Sequence, residues 1–186
     1  NLTVTVNPLP VISSATTSVE PLCLGSSTTL TGTSLLPPVS ISLGAGATNS
    51  TSVGASFLPG GWGGAKTQYI IRASELTAAG LSAGIINSIG FEPTTSGQTY
   101  TGFSVSMAAT SLTAMTSTFV TTGLSQVYKG TLTNDGFLPV ANAVNTLAFG
   151  TGTGSSSSFV WNGTSNILVS VSWSSVPDAF NSTATK

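Results

Sequence analysis

Apolar residues recur at every second position in several short runs, and that period decides the fold class before any other feature. Leu2-Thr3-Val4-Thr5-Val6 alternates strictly, and so does Val39-Ser40-Ile41-Ser42-Leu43. Between Tyr100 and Met107 the period puts Phe103, Val105 and Met107 on one face and Ser104 and Ser106 on the other. A period of two marks a strand with one buried face. Gln68 to Ile71, Ile85 to Phe91, Asn145 to Phe149 and Asn166 to Trp173 read as further strands, the last being the strongest of the C-terminal third. Ser27 to Thr33, Phe119-Val120 and Gln126 to Gly130 are shorter candidates, and Leu112 to Thr118 reads as a short helix or an irregular loop. Glycine, proline and the turn Asn134-Asp135-Gly136 punctuate them. Short strands at regular spacing predict an all-β chain, an antiparallel β-sandwich of Ig-like or jelly-roll type.

One helical turn near residues 74–80 interrupts the strands. Ser74 is the expected N-cap, and Glu75 falls in the first turn, where negative charge suits the helix dipole. Gly80 sits where a left-handed C-terminal cap belongs. Arg72 and Glu75, three apart, are expected to form an ion pair worth under about 1 kcal/mol if exposed. Lys66 to Glu92 thus reads as a strand–turn–strand clasp.

Charge bounds the function. Only 5% of the 186 residues are charged and the net charge is −1, against about a quarter charged in an ordinary globular protein. Hydrophobic residues reach 40%, enough for a core. Lys66, Arg72, Lys129 and Lys186 are too few for a nucleic-acid footprint. No run approaches the roughly 18 apolar residues of a membrane span. Serine, threonine and glycine fill the remaining surface, as in secreted and cell-surface β-proteins, where hydroxyls hydrate the outer faces.

Residues 1–10 read as the last strand of a preceding module and its Pro8-Leu9-Pro10 linker, or as an edge or donor strand. A sandwich domain over 11–186 follows, with no closing strand legible after Ser174. The lack of a starting methionine and of a signal peptide suggests a processed chain or an excised piece. The stretches 44–56 and 150–158 read as surface loops, the second a flexible one.

Without histidine, no Ser-His-Asp or Cys-His constellation exists, and the usual zinc sites are gone. Glu20, Glu75, Glu92, Asp135 and Asp178 are scattered, and Asp135 reads as a turn former. No catalytic, metal or cofactor site is expected. Trp62, among glycines 60, 61, 63 and 64, is either a sugar-stacking platform or a plug over the sandwich edge, and burial of large aromatics favours the plug. Tyr69 and Tyr128 are the other candidate stacking rings. Sequons at Asn1, Asn49, Asn162 and Asn181 are weak signals, Asn49 the best placed and Asn162 better explained as a turn residue. Cys23, the only cysteine, reads as a buried small hydrophobe or as half of a bridge to a partner elsewhere.

The segments QYIIRASEL, AAGLSAGIINSIGF and FVWNGTSNILV together resemble the jelly-roll or Ig-like modules of large Bacteroidetes surface proteins exported by type IX secretion, including gliding-motility adhesins of the SprB type. TVTVNPLP resembles the end of one Ig-like repeat, and PLCLGSSTTLTGT the start of the next. The resemblance implies architecture and an extracellular, cell-surface setting, and no catalytic site. Related modules often carry a cysteine in the strand matching Ile167–Trp173; here that stretch holds Ser170 and Ser172, so the resemblance gives Cys23 no partner in this domain.

The expected function is a non-catalytic structural and adhesive module of a long extracellular protein, contributing to surface attachment or gliding. Its partners would be neighbouring modules of the same or identical chains and surface polysaccharide. Two alternatives stand beside it. One is a carbohydrate-binding module using Trp62, and the other is a filament subunit exchanging strand 2–6 with its neighbour.

Overall fold

The computed structural model describes residues 2–8, 12–17, 29–34, 38–44, 57–58, 61–94, 100–132, 140–174 and 180–181. In chain order these form β1 (Leu2–Pro8), β2 (Ile12–Thr17), β3 (Leu30–Ser34), β4 (Val39–Leu43), β5 (Gly61–Trp62) and β6 (Gly64–Ile71). The helix α1 (Ala73–Ala78) and β7 (Gly84–Phe91) follow, then β8 (Phe103–Thr110), β9 (Ser125–Gly130) and β10 (Asn145–Ala148). The chain continues through β11 (Phe159–Trp161), β12 (Asn166–Ser174) and β13 (Phe180–Asn181). A five-stranded sheet runs β10-β7-β1-β4, with β11 also on β7, and a four-stranded sheet runs β6-β12-β8-β9. All pairings between the named strands are antiparallel. The protein is an all-β sandwich with one short helix among the described residues.

Alternation makes the core. Val4, Ile41, Ile89, Phe91 and Leu147 face inward from the first sheet, and Val105, Met107, Val169, Val171 and Trp173 from the second. Fully burying a side chain of this size contributes roughly 1.5–3 kcal/mol. Aromatic rings fill one end of the interior. Phe57 stacks on Phe91 at 4.9 Å between ring centres, and Tyr100 meets Trp173 edge-on at 5.2 Å. The indole N–H of buried Trp161 donates to the Ser165 carbonyl at 2.8 Å, which offsets the desolvation of its one polar atom.

The Lys66–Glu92 clasp joins the two sheets, because β6 lies in one and β7 in the other. The helix between them begins two residues earlier than expected. Arg72, not Ser74, is the N-cap residue, with the extended backbone of a strand end (φ −77, ψ 142). Its backbone N–H donates to the Glu75 carboxylate at 2.9 Å, so Glu75 serves the turn through a backbone amide where an ion pair with Arg72 was expected. The Ala73 N–H donates to Asn166 Oδ1 at 2.8 Å, a cap supplied by β12 from far along the chain. Gly80 adopts φ +94, with its N–H on the Thr77 carbonyl and the Leu81 N–H on the Leu76 carbonyl. That is a Schellman ending, fastened by the buried pair Leu76 and Leu81.

Several expectations change. Strand β1 is not an edge of its sheet. It lies between β7 and β4, with Val4 only 1% exposed and opposite both Ile41 and Ile89. Val4 thus packs the core while Thr3 and Thr5 face outward, which a linker strand has no reason to do. Phe119-Val120 is not a strand, and residues 111–124 form an irregular connection from β8 to β9. Residues 150–156 are pinned to β9: Lys129 donates to the Thr151 carbonyl, Gly150 to that of Val127 and Ser156 to that of Gln126. Beyond Ser174 the described residues include one short strand, β13, which pairs with β5 outside the two main sheets. Glu20, Cys23, Asn49, Asp135 and Asp178 lie outside the described residues, as do residues 45–56.

Candidate functional site

Two of the expected stacking residues, Tyr69 and Tyr128, do not converge. The backbone of Trp62 sits in β5 opposite Phe180, and its side chain is outside the described set. Tyr69 is on β6 and Tyr128 on β9, the two outer strands of the four-stranded sheet. Three inter-strand steps, roughly 14 Å, separate strands so placed. Both rings point into the sandwich. Tyr128 is 3% exposed and meets Phe103 edge-on, so it is a core ring and offers no platform. Tyr69 is half-buried against the core, and burial pushes its phenol up to about 12, opposed by a hydrogen bond with Thr67. Asn162 is a turn residue: its Oδ1 accepts from the Thr164 and Ser165 amides at 3.0 and 2.8 Å, ahead of Gly163 at φ +83.

The outward face of the four-stranded sheet is more organised. Cross-strand partners share a face, so register alone assembles its rows. One row reads Lys66–Ser172–Ser104–Lys129 across β6, β12, β8 and β9. The next reads Gln68–Ser170–Ser106–Gln126, and the third Ile70–Leu168–Ala108. The Ser104 and Ser172 hydroxyls are 2.9 Å apart and hydrogen-bonded. The outward positions of these strands hold two lysines and no carboxylate.

Residues 111–124 lie across part of this face as a strap. Outward-facing Leu168 is only 1% exposed, and Ala108, Gln68 and Ser170 are buried too, which a bare sheet face would not allow. Gln68 fastens the strap by a two-point clamp on the Val120 backbone. Its Nε2 donates to the Val120 carbonyl at 2.7 Å, and its Oε1 accepts the Val120 N–H at 2.9 Å. Nε2 also donates to Ser170 Oγ at 3.2 Å. Asn166 Nδ2 holds the other end through the Leu112 carbonyl at 2.8 Å. The clamp leaves the neighbouring Phe119 ring 49% exposed, and Lys66 Nζ sits over that ring, 5.2 Å from its centre. Among the described residues Phe119 is the aromatic side chain most open to solvent, and sequence reasoning read it only as part of a short strand. Lys66 and Phe119 are too far apart in sequence for any local signal to have joined them.

Among the described residues no three His, Cys, Asp or Glu side chains come together. No helix among them is long and apolar enough to cross a membrane. Compared with family models, curated proteins and solved structures, the chain matches none.

Proposed function

We propose that this chain is a non-catalytic structural and adhesive module of a long extracellular cell-surface protein, working through its outer faces. One observation carries the reading: both sheets present in-register rows of small hydroxyl side chains to the outside. On the first sheet Ser40, Thr5 and Ser88 form one row, and Ser42, Thr3, Gly90 and Thr146 another. The Thr5 and Ser40 hydroxyls are hydrogen-bonded at 3.0 Å. The second sheet adds Ser172 with Ser104, beside the stretch where the strap covers Ser170. Apart from Thr3, whose hydroxyl oxygen is buried, such faces hydrate well without charge, and they let neighbouring modules or a hydroxylated surface approach without like-charge repulsion. The QYIIRASEL and NGTSNILV segments, resembling gliding-motility adhesin modules, favour the same cell-surface setting.

Strand β1 already pairs with β4 and β7 of its own chain, so strand exchange would have to begin by withdrawing it. The adhesive reading is tested by bead retention under flow. Beads coated with the purified domain should stay on polysaccharide films at shear that removes beads coated with an unrelated β-sandwich of similar charge. Equal retention of the two would sink it.

A further inference from the structure

We propose that the Lys66–Ser172–Ser104–Lys129 row, with the Phe119 ring at its β6 end, is a binding site for an acidic polysaccharide carrying uronate groups. The proposal deepens the adhesive reading and rests on it for its setting. Three features of the row point to this ligand class. First, the two lysines stand at the two ends, both exposed, with backbone positions three strand spacings or roughly 14 Å apart. Two ammonium groups so spaced match carboxylates that recur along an extended polymer; a single small anion would reach only one of them. Secondly, the paired Ser104 and Ser172 hydroxyls fill the interval, offering hydrogen bonds where a sugar chain presents its own hydroxyls. Thirdly, Phe119 is an exposed ring on a fixed backbone. The Gln68 clamp holds the adjacent Val120 on both its N–H and its carbonyl, so little freedom is lost when a pyranose stacks on the ring.

Charge complementarity selects the anionic class. The outward positions of β6, β12, β8 and β9 carry two cations and no acid, in a chain whose net charge is −1. Those two cations are too sparse for the dense phosphates of a nucleic acid, which call for a basic patch or stripe. Lys66 also stands in two roles: it sits over the Phe119 ring and it is the first cation of the row, so stacking and charge recognition meet at one end.

Affinity electrophoresis of the whole chain tests the site, with polygalacturonate in the gel as the probe and dextran as the uncharged control. The chain should be retarded by polygalacturonate and not by dextran, and added salt should weaken the effect. Lys66→Gln and Lys129→Gln should each weaken retardation about threefold, as for exposed charge pairs, and the double variant should weaken it by roughly an order of magnitude. Phe119→Ala should weaken it as well. Circular dichroism of each variant verifies that these exposed substitutions leave the sheet intact. Retardation unchanged by the lysine substitutions, equal retardation by dextran, or none at all would each overturn the site. Equal binding to anionic lipid vesicles or to single-stranded DNA would overturn the saccharide assignment. Beads carrying the double lysine variant separate this site from the broader reading. Full retention on the films with no polygalacturonate binding by the wild type removes the site alone, whereas no retention by either protein removes both.

Discussion

Single residues settle questions that local sequence left open. Ser74 has the chemistry of a cap, but Asn166 reaches across from β12 to take the Ala73 amide, and Glu75 takes that of Arg72. The helix start is therefore fixed by the end of β6, where buried Ile71 locks the phase, and not by the nearest hydroxyl. Tyr69 shows the same dependence on surroundings. Its phenol, ordinarily at 10.0, is pushed up to about 12 chiefly by burial, with a hydrogen bond to Thr67 opposing. The unfolded chain thus loses this proton at lower pH than the folded one. Stability tied to Tyr69 is complete below the unfolded value and is lost as pH rises toward the folded one. Denaturant melts at about pH 9 and about pH 11.5 span most of that window. The wild type should lose more stability across it than Tyr69→Phe, which keeps the ring and removes the ionisable group. Equal losses would assign the pH dependence to other groups.

At the scale of elements, the inward faces of the strands were legible and their partners were not. Period two marks β1, β4 and β8 from sequence alone, because each has one face in the core and hydroxyls on the other. Strand β12 is harder to read: Leu168 and Ser170 point outward yet are buried. The strap over residues 111–124 explains this, and nothing in its own sequence announces where it docks. Its anchors, Gln68 and Asn166, are distant in the chain and generic in type. The Lys66–Phe119 site was illegible for the same reason, since it exists only once the strap is tied down. Gln68→Ala tests the tie. It leaves the Val120 N–H and carbonyl without their clamp and should destabilise the protein by about 1–3 kcal/mol. Hydrogen exchange should quicken at the Val120 amide while the amides pairing β8 with β12 keep their protection. Protection retained at Val120 would mean that the strap is held by its packing on Leu168, with the clamp incidental.

For the whole molecule, the position of β1 decides what counts as the domain. Read from sequence, residues 1–10 looked separable, because Pro8 and Pro10 close an otherwise ordinary strand. The sheet order makes residues 2–8 integral: β4 joins the five-stranded sheet only through β1, and β7 pairs with β1 along its length. Removing β1 uncovers the facing edges of β7 and β4 and strips Ile41 and Ile89 of their shared neighbour Val4. Unpaired backbone and apolar surface are then exposed together, and both oppose a folded monomer. A chain beginning at residue 9 should therefore lose cooperative thermal unfolding and bind a hydrophobic dye at temperatures where the longer chain does not. The synthetic peptide Asn1–Pro8 added in excess should restore the transition in a concentration-dependent way, as expected for a ligand that binds only the folded state. A truncated chain that melts like the full one would return β1 to the role of a dispensable junction. Rescue by the peptide would carry a further meaning: a strand that can be supplied from outside is the physical requirement for exchange between copies. A chain that folds only with β1 covalently attached would confine the module to acting through its outer faces.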